Sequence, residues 1–302
     1  HFNGRFYRST DEVVCISKVT HEILQEVAPE TPSYYHPHAV PPNVFYKYKN
    51  TDDKARAEQM REQVLNSSVE HNNPKKKIFF WNSRNARRKQ SGTLIWWFKE
   101  FLDEVGHDKA TLLMHTDARD PHGQDLPHII EHLGITDGQV LLSTNKVDAQ
   151  GLAAMYNACD YTIGISDAEG FGLSALESLS CGTPIIVNMT GGLQEQVTDG
   201  KKWFGWGIQP ASKAVIGSLQ VPYIYEDRIS QQDFTDVMRK ALNLSEAKYQ
   251  KMSVAALEHV KTNYSFENYE KGWVKLMDGI VERHGSWESR KNYKRWHLME
   301  AV

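Results

Sequence analysis

Five short runs of aliphatic and β-branched residues recur through the middle of the chain: Ile78 to Trp81, Thr111 to His115, Val140 to Ser143, Tyr161 to Ile165 and Ile185 to Asn188. Segments with helical spacing lie between them. Leu94, Phe98, Phe101, Leu102 and Val105 fall on one helical face. Leu126 to Leu133 predicts a second helix. Asp148 caps a third that runs to about Ala158, and a fourth covers Leu173 to Cys181 and stops at Gly182. This alternation predicts βαβ units, hence an α/β fold built on a parallel sheet with helices on both faces. Ligands of such sheets bind beyond the carboxyl ends of the strands.

The flanks read differently. Asp11 to Ser17 reads as a strand, Val19 to Val27 as a helix, and Tyr34 to Phe45 as a Pro- and His-rich connection. Residues 46–76 are polar and charged, and Lys75, Lys76 and Lys77 read as a solvated loop face. From about Gln231 the pattern is helical to the end, with Ser245 and Ser265 as N-caps and a Trp-, Arg- and Lys-rich tail from Trp287 to Arg295.

The whole chain excludes some classes of function. A net charge of −3 over 302 residues argues against a dedicated nucleic-acid binder. No apolar run approaches the roughly 20 residues needed to span a bilayer. His1 to Arg8 is polar, aromatic and charged, unlike a signal peptide. Cys15, Cys159 and Cys181 are few and scattered, and read as free thiols in a reducing compartment. A cytoplasmic location, including the membrane surface, is the expectation.

The chemistry concentrates after the fourth strand, in Glu169-Gly170-Phe171-Gly172-Leu173-Ser174-Ala175-Leu176-Glu177. Glycines flanking Phe171 let backbone approach a ligand closely. The N–H groups of the following first helical turn make an anion site suited to phosphate. Glu177 is the only charged residue between Leu173 and Cys181, at the edge of the apolar face. Burying it unsatisfied costs several kcal/mol, so its surroundings must supply donors, and ribose hydroxyls would serve.

This segment, with Gly182-Thr183-Pro184 and Ile185-Ile186-Val187 behind it, resembles the signature of the retaining family-4 glycosyltransferases, which have the GT-B fold. The resemblance covers about residues 9–275. It implies that Glu169 contacts a donor sugar, that Gly170, Phe171, Gly172 and Leu173 meet the sugar and distal phosphate, and that Glu177 binds ribose hydroxyls. It places the diphosphate on Arg84 and Lys89, which match an R-x4-K spacing after the first strand, with Gln90 where the family has glycine. It places the nucleotide base near Asn145 and Val147, after a middle strand. Gly191-Gly192-Leu193-Gln194-Glu195 resembles the family's G-G-x-x-E loop. Tyr35-His36-Pro37-His38-Ala39-Val40 with Phe45 resembles its interdomain linker, with Ala39 and Pro41 departing from the pattern.

The organisation expected on this basis has three parts. Residues 1–45 are a remnant of the N-terminal, acceptor-binding domain and its linker, most of that domain being missing. Residues 46–275 are a Rossmann-like donor-binding domain, and residues 276–302 a helical tail. The implied reaction is transfer of a sugar from a UDP-, GDP- or ADP-sugar to a carbohydrate, lipid or other hydroxyl acceptor, with retention and without cofactor or metal. Two rivals remain open: a non-catalytic nucleotide-sugar-binding fragment, and another GT-B enzyme such as a sugar-nucleotide epimerase or disaccharide phosphorylase. His115, Asp117, Asp120 and His122 could form a metal cluster, but read as a polar loop after a buried strand. Trp96-Trp97-Phe98 could be a carbohydrate platform, yet helical spacing puts Trp97 and Phe98 in the core.

Overall fold

The computed structural model describes residues 2–291. The four central residues of β3 (Lys77–Asn82), Ile78 to Trp81, are all buried. A strand covered on both faces reads as a continuous apolar run, as parallel sheets require. β3 pairs in parallel with β4 (Ala110–His115) and β6 (Tyr161–Gly164). With β5 (Val140–Ser143), β7 (Ile185–Asn188) and β8 (Gly205–Ile208) these form a six-stranded, all-parallel sheet in the order β5-β4-β3-β6-β7-β8. The strand order reverses between β3 and β6, which makes their carboxyl ends the switch point where ligands bind.

Pleating divides the core in two. Phe79 and Trp81 face one layer with Leu94, Phe98 and Phe101 of α4 (Ser91–Val105), Ile130 of α5 (Leu126–His132) and Phe234 of α9 (Gln231–Leu242). Ile78 and Phe80 face the other, with Val64 of α3 (Thr51–Leu65), Tyr156 of α6 (Ala149–Ala158) and Leu176 of α7 (Leu173–Ser180). Each fully buried large apolar side chain contributes roughly 1.5–3 kcal/mol relative to exposure. Trp96 is half exposed and donates to Glu100 on its own helix, so Trp97 and Phe98 alone turn inward.

Preceding this layer, α1 (Phe2–Arg8) leads to β1 (Val13–Cys15), α2 (Lys18–Val27) and β2 (Ser33–Tyr35). β1 and β2 form a separate parallel pair. After β7 come α8 (Leu193–Val197), β8, and an antiparallel hairpin of β9 (Ser212–Ile216) and β10 (Ile224–Arg228). α9, α10 (Glu246–Asn263) and α11 (Phe266–His284) close the chain. α11 returns to the N-terminal pair: Arg283 and His284 donate to the Glu12 carboxylate at 2.6–2.8 Å and hold its pKa down to about 2.

Several expectations change. Residues 46–76 are not merely polar connection: α3 occupies half of them, capped by Asn50. It buries only Ala57, Val64 and Leu65, so its sequence carries almost no apolar period. The lysine run is not one solvated face. Lys76 is buried, with its pKa lowered by desolvation, and Lys77 opens β3 and pairs with Asp160 at 2.9 Å. The initial strand is only three residues long. β8 and the hairpin add strands beyond the five apolar runs of the sequence. The helical pattern ends at His284, and of the tail expected over 276–302, residues 292–302 lie outside the described residues.

Candidate functional site

Two turns meet at the switch point. The basic turn leaves β3 at Asn82 and runs through a short 3-10 helix, Arg87–Lys89, into α4. The acidic turn leaves β6 and enters α7 through Gly172. Lys89 Nζ donates to the Glu169 carboxylate, and both side chains are largely buried (13% and 15% exposed). Arg88 stands 3.5 Å from the same carboxylate and donates to the Ala168 carbonyl at 2.9 Å. Burial pushes the Lys89 pKa down, while Glu169 opposes that shift. A largely buried ion pair of this kind is costly to break from one side, because the remaining charge is left uncompensated.

The acidic turn has little freedom. Gly172 has φ 92° and caps α7 without a side chain, and the helix begins beside the cleft, which Gly172, Ser174 and Ala175 line. Gly191 and Gly192 press on it from the loop after β7. A Cβ on Gly191 would lie 1.6 Å from the Glu169 carbonyl oxygen, and one on Gly192 would lie 2.8 Å from the Phe171 Cα. Buried Gln196 donates through Nε2 to the Phe171 carbonyl at 2.7 Å. Phe171 itself is buried, with His38 and Tyr264 edge-on to its ring.

Glu177 follows further along α7, and burial raises its pKa. Its Oε2 accepts from the Tyr156 hydroxyl at 2.7 Å, and that hydroxyl accepts from Asn82 Nδ2 at 2.9 Å. The chain Asn82–Tyr156–Glu177 therefore orients the carboxylate and leaves its second oxygen for another donor. Sequence reasoning missed Asn82, Tyr156 and Gln196. Asn82 had a signal, as a polar residue at the carboxyl end of an apolar strand. Tyr156 and Gln196 had none.

Lys89, Glu169 and Gly172 line the cleft together with Asn82, Ser83 and Ser174. Gly170 and Leu173 are exposed and are not among the residues that line it. Arg84 is not brought in. It is 61% exposed and grips Asp120 through Nε and Nη2 at 2.6 and 3.2 Å. Asn145 and Val147 are exposed on the loop after β5, two strands from β3, about 10 Å away at normal strand spacing. Gln90, where the resemblance expects glycine, has φ 57°.

The residues weighed as metal ligands do not converge. His115 shares a hydrogen bond with Ser143 at 3.0 Å, Asp117 accepts from the Arg119 backbone, and Asp120 is taken by Arg84. Among the described residues one other group, Glu70, His71 and Asp137, lies close enough to share an ion. The Asp137 carboxylate there already accepts from Ser68 Oγ and the amides of Val69 and Glu70. No helix among the described residues is long and apolar enough to cross a membrane. Cys15, Cys159 and Cys181 are free and buried.

A cation set against a helix N-terminus can hold a phosphate, and carboxylates beside it can accept from hydroxyls. The model of the family described as glycosyl transferases group 1 matches residues 64–259. The D-inositol 3-phosphate glycosyltransferase of Corynebacterium urealyticum is 30% identical over 167 residues, 53% of this chain and 34% of that protein. Its namesake from Paenarthrobacter aurescens is 38% identical over 77 residues, 26% of this chain and 18% of that protein. These alignments thus span about a third or less of the relatives' length. Among solved structures, sucrose-phosphate synthase from Thermosynechococcus elongatus superposes with a TM-score of 0.71 at 18% identity, over 93% of this chain and 61% of that one. The Anabaena protein HepE, in complex with UDP-glucose, superposes with a TM-score of 0.69 at 14% identity, over 92% and 67%.

Proposed function

This chain belongs to the glycosyl transferases group 1, and from that premise we propose that its switch-point cleft holds a nucleoside-diphosphate sugar for transfer to an acceptor hydroxyl with retention of configuration. The observation that carries this is the convergence of Lys89 and Glu169 beneath the uncapped N-terminus of α7. Lys89 and the first-turn N–H groups take the diphosphate, whose negative charge grows as the sugar leaves. Arg84 joins them by exchanging Asp120 for the diphosphate. The Arg84 guanidinium is 61% exposed and stays solvated through the exchange, while Asp120, 9% exposed, keeps the His122 amide as a donor at 2.8 Å. When the donor enters, Glu169 passes from Lys89 to the sugar hydroxyls and orients the ring for front-face departure. Glu177 accepts from the ribose through the oxygen that Tyr156 leaves open, and the base lies toward Asn145 and Val147. No metal is needed in this scheme, since side-chain and backbone donors neutralise the leaving group.

Calorimetry with UDP, GDP and ADP tests binding. UDP-glucose is the first donor to try, because HepE was solved with it. Inositol 3-phosphate belongs in the acceptor panel, because the matching relatives carry it in their names. The configuration of the product, read by NMR, decides retention. Replacing Glu169 by Ala should leave UDP affinity within about threefold while cutting sugar transfer by about 100-fold or more. Undiminished transfer by that variant would remove Glu169 from the mechanism.

A further inference from the structure

Among the described residues, Gln90 is the only non-glycine in the left-handed backbone region. An L side chain is disfavoured there, and glycine is the usual occupant. Position 90 nevertheless carries a long side chain, and both ends of its amide are used. Nε2 donates to Asp167 Oδ2 at 2.5 Å, and Oε1 accepts from Thr93 Oγ1 at 2.7 Å. Asp167 is buried and fixed by its own backbone: its N–H donates to the Arg88 carbonyl at 2.8 Å, and its carbonyl accepts from the Asp227 amide at 2.8 Å.

We infer that Gln90 and Asp167 are a positioning pair that holds Lys89 in the cleft. The role of Lys89 toward a donor rests on the reading above; the geometry of the pair does not. The Gln90 carbonyl accepts the first hydrogen bond of α4, from the Leu94 amide at 2.8 Å, so the chain beyond Gln90 is fixed. The upstream side is held by a longer bond, from the Gln90 N–H to the Arg87 carbonyl at 3.2 Å, so any relaxation of its φ is absorbed there, by Lys89. The side-chain bond to Asp167 resists that relaxation. It also ties the basic turn to the acidic turn two residues before Glu169. Where glycine would adopt this φ freely, Gln90 adopts it under restraint, and the restraint is what fixes Lys89 opposite Glu169.

The test separates backbone comfort from positioning. Gln90→Ala, Gln90→Gly, Asp167→Ala and the Gln90→Gly/Asp167→Ala double variant are compared with the parent by thermal melting, UDP calorimetry and the rate of Lys89 acetylation by acetic anhydride, read by mass spectrometry. Gln90→Ala should melt lower, and Gln90→Gly should recover most of that loss, since glycine removes the strain. Both should still bind UDP about fivefold or more weakly and acetylate Lys89 several-fold faster. The double variant should be no worse than the worse single change. Parent-like affinity and acetylation in Gln90→Gly would overturn the pairing, and so would losses that simply add. If the parent binds none of UDP, GDP or ADP, the donor-binding reading fails, while Lys89 acetylation still decides the pair.

Discussion

The two flanks of the sheet's carboxyl edge are built in opposite ways. At β3 and β6, glycines leave no room for a Cβ, carbonyls are held by buried Gln196, and Lys89 and Glu169 face each other with little exposure. Beyond β4 and β5, Asp120 draws the 61% exposed Arg84 away from the cleft, and Asn145 and Val147 project from an exposed loop. Where the sheet order reverses, helices diverge and a cleft opens, and there packing holds Lys89, Glu169 and the carbonyls of the acidic turn. At the sheet's edge no neighbouring strand imposes a geometry. The inner region is organised before a ligand arrives, and the outer region can be organised by one.

The largest test of this difference is steric. Gly191→Val puts a side chain into the Glu169 carbonyl at a left-handed position. It should cost about 3 kcal/mol or more and lower the melting temperature by on the order of 10 °C. A parent-like melt would mean that the loop after β7 does not brace the acidic turn. Next come the two cations. Lys89→Ala should weaken UDP binding by about 10- to 100-fold, the worth of a partly buried charge-assisted hydrogen bond. Arg84→Ala should weaken it by about threefold, because its guanidinium must first leave Asp120. Equal losses in calorimetry would erase the distinction between the regions.

A smaller effect depends on pH. Burial raises the Glu177 pKa in the empty site. On the reading proposed above, ribose hydroxyls donate to the carboxylate and so lower it again. Nucleotide affinity is therefore full above the empty-site pKa and falls as the pH drops through it toward the bound-state value, with proton uptake on acidification. Glu177→Gln should flatten that profile, and an unchanged slope would take the ribose away from Glu177. Least of all, Asn145→Ala and Val147→Ala should each change UDP affinity by less than about threefold, since contacts at a solvent-accessible rim carry little of the binding energy. A tenfold loss at either position would make the outer loop as preformed as the inner turns.

Much of the architecture was legible because it is periodic. Five of the six strands of the parallel sheet are apolar runs covered on both faces, and the helices between them carry one apolar face each. The strand that escaped, β8, is Gly-Trp-Gly-Ile, whose glycines hide the run. α3 escaped because it packs through two alanine- and valine-sized contacts and one leucine, too little to write a period into fifteen residues. At the site, Lys89, Glu169 and Gly172 share a motif with their neighbours in sequence and meet in space. Arg84 shares the same motif and points elsewhere, because Asp120, thirty-six residues on, competes for it.

The sequence by itself determined the parallel α/β layer, the glycine-bounded acidic turn and the helix that begins there, since these follow from spacing and from which residues lack a Cβ. Only the tertiary structure decided that Lys76 is buried, that Tyr156 and Asn82 aim Glu177, and that Gln90 is held left-handed by Asp167. Those outcomes depend on which side chains, tens of residues apart, are brought within 3 Å. Pairwise hydrogen bonds of that kind leave no periodic trace in the chain that makes them.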